Sequence, residues 1–225
     1  MLFAISGSQG SGKSTVVGKL AEVGYPTVER KTSRSILTEW DVTLSQVNND
    51  RELTVKFQEE ILKRKEQDEA AAVADVSRIW FTERSYADLF AYALIALGKD
   101  NEYSEWLDSY FDRCKKLQTT YSHNFYLRSG QFKVETDGVR GVNKHYVKMV
   151  DIVMLNTLES FKFGTDGFDP ITLGWVNTSS YTLINEREVP LRASAILQQV
   201  SGFTAWSKVE HDYHTALEQK QKSFV

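Results

Sequence analysis

Eight residues near the start of the chain restrict its fold more than any other stretch. Gly7-Ser8-Gln9-Gly10-Ser11-Gly12-Lys13-Ser14 fits the pattern G-x-x-x-x-G-K-[ST]. The apolar run Leu2-Phe3-Ala4-Ile5-Ser6 precedes it, and Thr15-Val16-Val17 continue into a helical pattern. An apolar run of this kind suits a buried strand of a parallel sheet. A loop that wraps a polyphosphate must aim successive backbone N–H groups inward, and side chains would block the approach. Gly7, Gly10 and Gly12 remove that obstruction and permit positive φ. The helix behind the loop adds unpaired N–H groups and the positive end of its dipole. Lys13 is spaced to reach the β- and γ-phosphates, Ser14 to offer its hydroxyl to Mg²⁺, and Thr15 to bond a more proximal phosphate. Gly7, Ser8, Gln9, Gly10, Ser11, Gly12, Lys13, Ser14 and Thr15 thus form the candidate ATP-binding set, with Ser14 as metal ligand. ATP and Mg²⁺ are the implied cofactors.

A chain of 225 residues with 41% hydrophobic content is expected to form one domain with an ample core. The formal charge of −3 argues against a dedicated nonspecific nucleic-acid binder, whose affinity comes largely from neutralising phosphates. A local basic groove stays compatible with it. Cys114 is the only cysteine, so no intrachain disulfide is possible, and a reducing cytoplasm fits. No basic-then-apolar leader and no run of membrane-spanning length is present, so no membrane association is expected.

Beyond the loop, a first helix is expected from about Ser14 to Val23, and Tyr25-Pro26-Thr27-Val28 reads as a second strand. Its end carries the polar cluster Glu29-Arg30-Lys31-Thr32-Ser33-Arg34. Carboxyl ends of strands face the ligand crevice in open α/β sheets, so Glu29 and Arg34 become substrate-binding candidates. Residues Asp41 to Asp50 read as a connector, with Asn48-Asn49-Asp50 marking a helix start. A long helix follows from about Arg51 to Ala74. Leu53, Phe57, Ile61 and Leu62 share its apolar face, and Lys63, Arg64, Lys65 and Glu66 read as exposed. Phe57 either packs in the core or stacks on a substrate base.

Arg78-Ile79-Trp80-Phe81-Thr82 reads as the third strand, followed at once by Glu83-Arg84-Ser85-Tyr86-Ala87-Asp88. A carboxylate there can serve the metal or the attacking group, and the next arginine can hold an acceptor phosphate bidentately. The same acid would also favour a helix N-terminus through the dipole alone. An amphipathic helix over Glu102 to Leu117 is expected to bury Cys114, and Ser122 to Leu127 reads as a fourth strand. The segment from about 128 to 145 interleaves Gly130, Gly138 and Gly141 with Arg128, Lys133, Arg140 and Lys144. It reads as a lid, with Arg140 aimed at the transferring phosphoryl group, or as a plain hairpin turning at Asp137-Gly138. A helix from Tyr146 to Phe161, a loop from Gly164 to Asn177, a fifth strand at Tyr181 to Asn185 and a helix entered at Pro190 complete the body. The expected architecture is a P-loop NTPase α/β fold: a parallel five-stranded sheet, helices on both faces, a kinase domain over 1–202 and a helical tail over 203–225.

The set Gly7 to Ser14, Glu29 with Arg34, Glu83-Arg84-Ser85 with Asp88 and Tyr92, and Asp137-Gly138-Val139-Arg140 resembles P-loop kinases of the thymidylate kinase class. Lys31-Thr32-Ser33-Arg34-Ser35-Ile36-Leu37 and Phe81-Thr82-Glu83-Arg84 resemble its tailed-phage branch, which phosphorylates 5-hydroxymethyl-deoxyuridine within DNA. The class resemblance spans roughly the first two thirds of the chain; Glu83-Arg84 stands where that class usually has Asp-Arg. The resemblance implies that Lys13 and the loop amides hold ATP. It implies that Glu83 positions or deprotonates the acceptor, that Arg84 and Arg34 orient an acceptor phosphate, that Asp88 belongs to the substrate-binding set, and that Arg140 stabilises the migrating phosphoryl group. Lys13, Glu83, Arg84 and Arg140 are then the catalytic set. The implied activity is an ATP-dependent kinase acting on 5-hydroxymethyl-deoxyuridine in DNA, a step toward thymine hypermodification in the host-cell cytoplasm. A deoxynucleoside monophosphate kinase with a free deoxynucleotide acceptor is the nearest alternative. A nucleotide-binding ATPase switch with a partner on its tail is the second.

Overall fold

The strand β1 (Leu2–Ser6) occupies the middle of a parallel sheet, and every one of its residues is buried. In the computed structural model, which describes residues 1–29, 33–129, 143–161, 168–169, 174–175 and 181–203, β1 pairs with β2 (Trp80–Glu83) on one side and β3 (His123–Leu127) on the other. A further strand, β6 (Tyr181–Ile184), adds to β3, so the order is β2-β1-β3-β6. Two short segments, β4 (Phe168–Asp169) and β5 (Gly174–Trp175), form a separate antiparallel pair.

The expected second strand at Tyr25 to Val28 reduces to a single parallel bridge, Thr27 to Phe81. Its backbone bonds run from Phe81 N–H to the Pro26 carbonyl and from Val28 N–H to the Phe81 carbonyl. Pro26 brings no N–H of its own, and a prolyl residue belongs at a sheet edge. The sheet therefore has four strands plus this edge contact rather than five full strands.

Alternation along β1 divides the core. Leu2 and Ala4 face a cluster built with α5 (Tyr86–Leu97), α6 (Ser104–Gln118) and α7 (Lys144–Ser160). Phe3 and Ile5 face the opposite side, where α1 (Lys13–Glu22) supplies Val16 and Leu20 and the helix α8 (189–203) supplies Ala193, Ile196 and Val200. This is a three-layer sandwich, and the strand alternation rather than any single contact sets it. Phe203, expected in a separate tail, is the last described residue of α8 and packs its ring 5.9 Å from Phe3 and 4.8 Å from His123. The tail from 204 onward lies outside the described residues.

The expected connector at Asp41 to Asp50 contains a helix. Thr43 caps α3 (Leu44–Asn49) in a reciprocal box with Gln46, and Asp50 then caps α4 (Arg51–Ala74) through the Leu53 N–H. With α2 (Ser33–Glu39), these elements enclose a satellite cluster of Ile36, Leu37, Val47 and Phe57. Cys114 is buried as expected, and burial pushes its thiol up to about 12, which makes it unreactive. Among the described residues no helix is long and apolar enough to cross a membrane.

The ring of His123 lies between Phe125 and Phe203, with Nε2 2.9 Å from Thr182 Oγ1. Burial lowers its pKa to about 4 from the ordinary 6.5. The unfolded chain therefore binds the proton first, and stability falls as pH drops from 6.5 toward 4. We expect a loss on the order of 2 kcal/mol across that window, allowing for the ring's partial exposure. A thermal-melt series should show this slope, and His123→Gln should flatten it; an equal slope in the variant would refute the assignment.

Candidate active site

The phosphate loop bridges β1 and α1. Gly7 has φ +143°, and a Cβ there would stand 2.4 Å from the Leu127 carbonyl oxygen at the end of β3. Only glycine allows the loop to pass that close to the neighbouring strand. Gly12, with φ 87°, is the left-handed residue that starts α1. Ser8 and Ser11 are fully buried, whereas the Ser14 and Thr15 side chains are exposed at the first turn of α1. Lys13 is buried, and its ammonium donates to the Ser8 carbonyl across the loop at 2.8 Å. The result is a cradle of backbone donors, one ammonium and two open hydroxyls, which fits a polyphosphate. It also fits Mg²⁺, an ion that keeps most of its ligands as water and phosphate oxygens and takes few from protein. Ser14 would hold it. Among the described residues no cluster of three His, Cys, Asp or Glu side chains offers a self-contained metal cage.

The end of β2 lies beside this loop because Ile5 pairs with Glu83 and the Arg84 N–H donates to the Ile5 carbonyl. Arg84 has φ 68°, a strained value for a side chain of its size. Its guanidinium sits over the Tyr92 ring, with Cζ 5.1 Å from the centroid, and Nη1 is buried with no hydrogen-bond partner. Burial works to lower its pKa; Tyr92, Asp88 and Glu83 more than offset this, and the net shift is upward. A buried, charged, underused fork next to a phosphate loop is a ready anion receptor.

Asp88 serves the loop rather than open space. Oδ2 accepts from Ser6 Oγ, Ser85 Oγ and the Ser85 N–H, and Oδ1 accepts from the Gly7 N–H at 3.2 Å. Ser85 and Asp88 form the capping box of α5, a signature readable as S-x-x-D. The substrate-contact reading of Asp88 is therefore corrected: its oxygens are engaged inside the fold. Of the two alternatives for Phe57, the core placement is the one observed: its ring is 3% exposed and packs edge-on to Trp40 at 6.2 Å. Glu29 is exposed directly after the edge bridge, and Arg34 is exposed in the first turn of α2. Arg140 and the glycine-rich core of the expected lid, residues 130–142, lie outside the described residues, as do Arg30, Lys31 and Thr32.

Two buried charged groups, Lys65 and Arg192, and one half-buried carboxylate, Asp151, depart from the sequence-based expectations. Lys65, expected on an exposed face, is buried on α4 and donates to Glu69 and to the Arg84 carbonyl. The signal was present: Gln58, Leu62, Lys65, Glu69 and Ala72 recur at helical spacing and are all buried. Asp151 of α7 accepts, on Oδ1, from Ser8 Oγ, Tyr126 Oη and the Ser129 N–H, which ties the phosphate loop to the end of β3. Arg192 of α8 is fully buried and donates to the Ser11 and Glu186 carbonyls. Burial lowers its pKa and Glu186 opposes the shift. Its spacing of four from Ile196 and eight from Val200 placed it in the apolar stripe of that helix.

The sequence pattern of the AAA domain family matches residues 2–164, well over half the chain and the whole span from β1 through α7. The chain belongs to the AAA domain family. No curated protein sequence matches it significantly. Among solved structures, this AAA domain is similar to deoxyadenosine kinase from M. mycoides with bound dATP. The TM-score is 0.60 at 15% identity, covering 89% of this chain and 100% of that one. It is also similar to the NadR protein in complex with NR, with TM-score 0.61 and 14% identity over 91% of this chain. The AAA domain spans 49% of NadR, about half of its length. At such identities the likeness shows the fold, which is the α/β P-loop kinase fold.

Proposed function

We propose that this AAA domain is an ATP-dependent kinase that phosphorylates the 5-hydroxymethyl group of 5-hydroxymethyl-deoxyuridine in DNA. The observation that carries an acceptor site is Arg84, with a buried, unpartnered Nη1 beside the phosphate loop. A pure ATPase has no need of a second anion receptor there. The wording of Phe81 to Arg84 and of Lys31 to Leu37 supports the hydroxymethyl-deoxyuridine acceptor. In the proposed step the acceptor hydroxyl oxygen bonds to the γ-phosphorus, the bond to the β,γ-bridging oxygen breaks, and ADP leaves. Glu83 takes the hydroxyl proton. Lys13 and the loop amides hold the phosphates, and Arg84 holds a phosphate of the acceptor strand. Arg140 and Arg34 add positive charge around the transfer. Catalysis is positioning and electrostatics.

A free deoxynucleotide acceptor is the second reading, favoured by the likeness to a deoxyadenosine kinase solved with deoxynucleotides. Labelled ATP and Mg²⁺ should be offered with a hydroxymethyl-deoxyuridine oligonucleotide, dTMP and 5-hydroxymethyl-dUMP in parallel. Label in the oligonucleotide is expected, and Arg84→Gln should raise the acceptor KM about tenfold or more. Label in mononucleotides alone overturns the DNA acceptor, and ATP hydrolysis with no transfer overturns both readings.

A further inference from the structure

Arg84 is held in a left-handed backbone conformation, φ 68°, which is strained for a non-glycine residue. Something must maintain it. The Lys65 ammonium donates to the Arg84 carbonyl at 2.8 Å and to Glu69 Oε1 at 2.5 Å. Glu69 also accepts from Thr82 Oγ1 at 2.6 Å and from Tyr121 Oη at 2.8 Å. Lys65 and Glu69 are 1% exposed, and the ammonium lies 5.3 Å from the Tyr86 ring centroid and 5.7 Å from that of Tyr121. One buried ion pair on α4 thus grips the β2 terminus at Thr82 and at Arg84, on either side of Glu83.

Removing two charges from water is expensive, and an apolar pair of similar volume often stabilises a core at least as well. Stability alone is therefore a poor reason for Lys65 and Glu69 to be here. We infer that Lys65 and Glu69 are positioning residues that hold Arg84 in its strained conformation and so aim its guanidinium at the acceptor. This rests on the reading of Arg84 as the acceptor's anion receptor, and deepens it. The pair touches no substrate. It acts through the Arg84 carbonyl, which cannot rotate out of the left-handed region without breaking the bond from Lys65. Glu69 orients the ammonium, and Thr82 and Tyr121 orient Glu69.

The test uses the full chain with both charges removed together, Lys65→Met with Glu69→Gln, so that no lone buried charge is left. The glutamine oxygen can still accept from Thr82 and Tyr121, and folding is checked by thermal melting. Single Lys65→Arg serves as the conservative variant that can restore the carbonyl contact. Two readouts are taken: the backbone φ of Arg84, from NMR couplings and Cα shifts, and kinetics with ATP, Mg²⁺ and the hydroxymethyl-deoxyuridine oligonucleotide. In the double variant Arg84 should leave the left-handed region and the acceptor KM should rise about tenfold, with the KM for ATP changed less than twofold. Lys65→Arg should recover part of both effects. An unchanged Arg84 φ in the folded double variant overturns the inference. A moved Arg84 with unchanged acceptor KM upholds the positioning role and refutes Arg84 as the acceptor's receptor, so the two failures are separable.

Discussion

Lys13→Ala should lower phosphoryl transfer by about 10²–10³-fold or more, the scale expected when one preorganised charge partner of a transition state is removed. Lys13 is buried and its ammonium donates to the Ser8 carbonyl at 2.8 Å, already held within the cradle. Preorganisation of that kind makes its charge effective when the γ-phosphoryl group moves. The same substitution loses one charged hydrogen bond, so the melting temperature should fall by only a few degrees, about 2–6 °C for a chain of this size. Rates and melts on the same preparation check both. Transfer within tenfold of the parent would remove Lys13, and with it the phosphate loop, from the mechanism.

Asp88→Ala should have the largest effect on stability. The carboxylate is 1% exposed and accepts from Ser6 Oγ, Ser85 Oγ, the Ser85 N–H and the Gly7 N–H. Truncation leaves buried donors without an acceptor and breaks the capping box of α5. A cost of about 3 kcal/mol or more is expected, equivalent to roughly 6–12 °C in melting temperature. Because the Gly7 N–H is among the released groups, nucleotide affinity should weaken as well. Differential scanning fluorimetry with and without ATP reads both effects. A shift under 2 °C with unchanged ATP stabilisation would show that the carboxylate is dispensable.

Local signals were readable wherever one segment sufficed to define the geometry. The glycines, Lys13 and Ser14 need only their own order to form the cradle, and the buried strands announced themselves as apolar runs. The Asp50 cap and the span of α4 followed from pattern and cap alone. Buried charge was not readable in the same way. The buried Lys65 and Arg192 and the half-buried Arg64 and Asp151 look like surface residues in a linear reading, because a charge leaves water only where several partners gather around it, and some of those come from elsewhere in the chain. Those partners are distant in sequence: Arg84 for Lys65, Glu39 for Arg64, Ser8 for Asp151 and Ser11 for Arg192.

Sequence by itself determined the donor half of this protein: strand, loop, lysine and helix are contiguous, and contiguous residues carry their geometry with them. Tertiary structure alone decided what surrounds Glu83 and Arg84, the residues we propose as the acceptor half. It brought the end of β2 against the loop, left Arg84 Nη1 without a partner, turned Asp88 inward and set Lys65 beneath the Arg84 carbonyl. The physical reason is distance along the chain. Parallel pairing joins strands that are some 80 residues apart at Ile5 and Glu83, and which side chains meet there depends on register and helix packing that no single segment encodes.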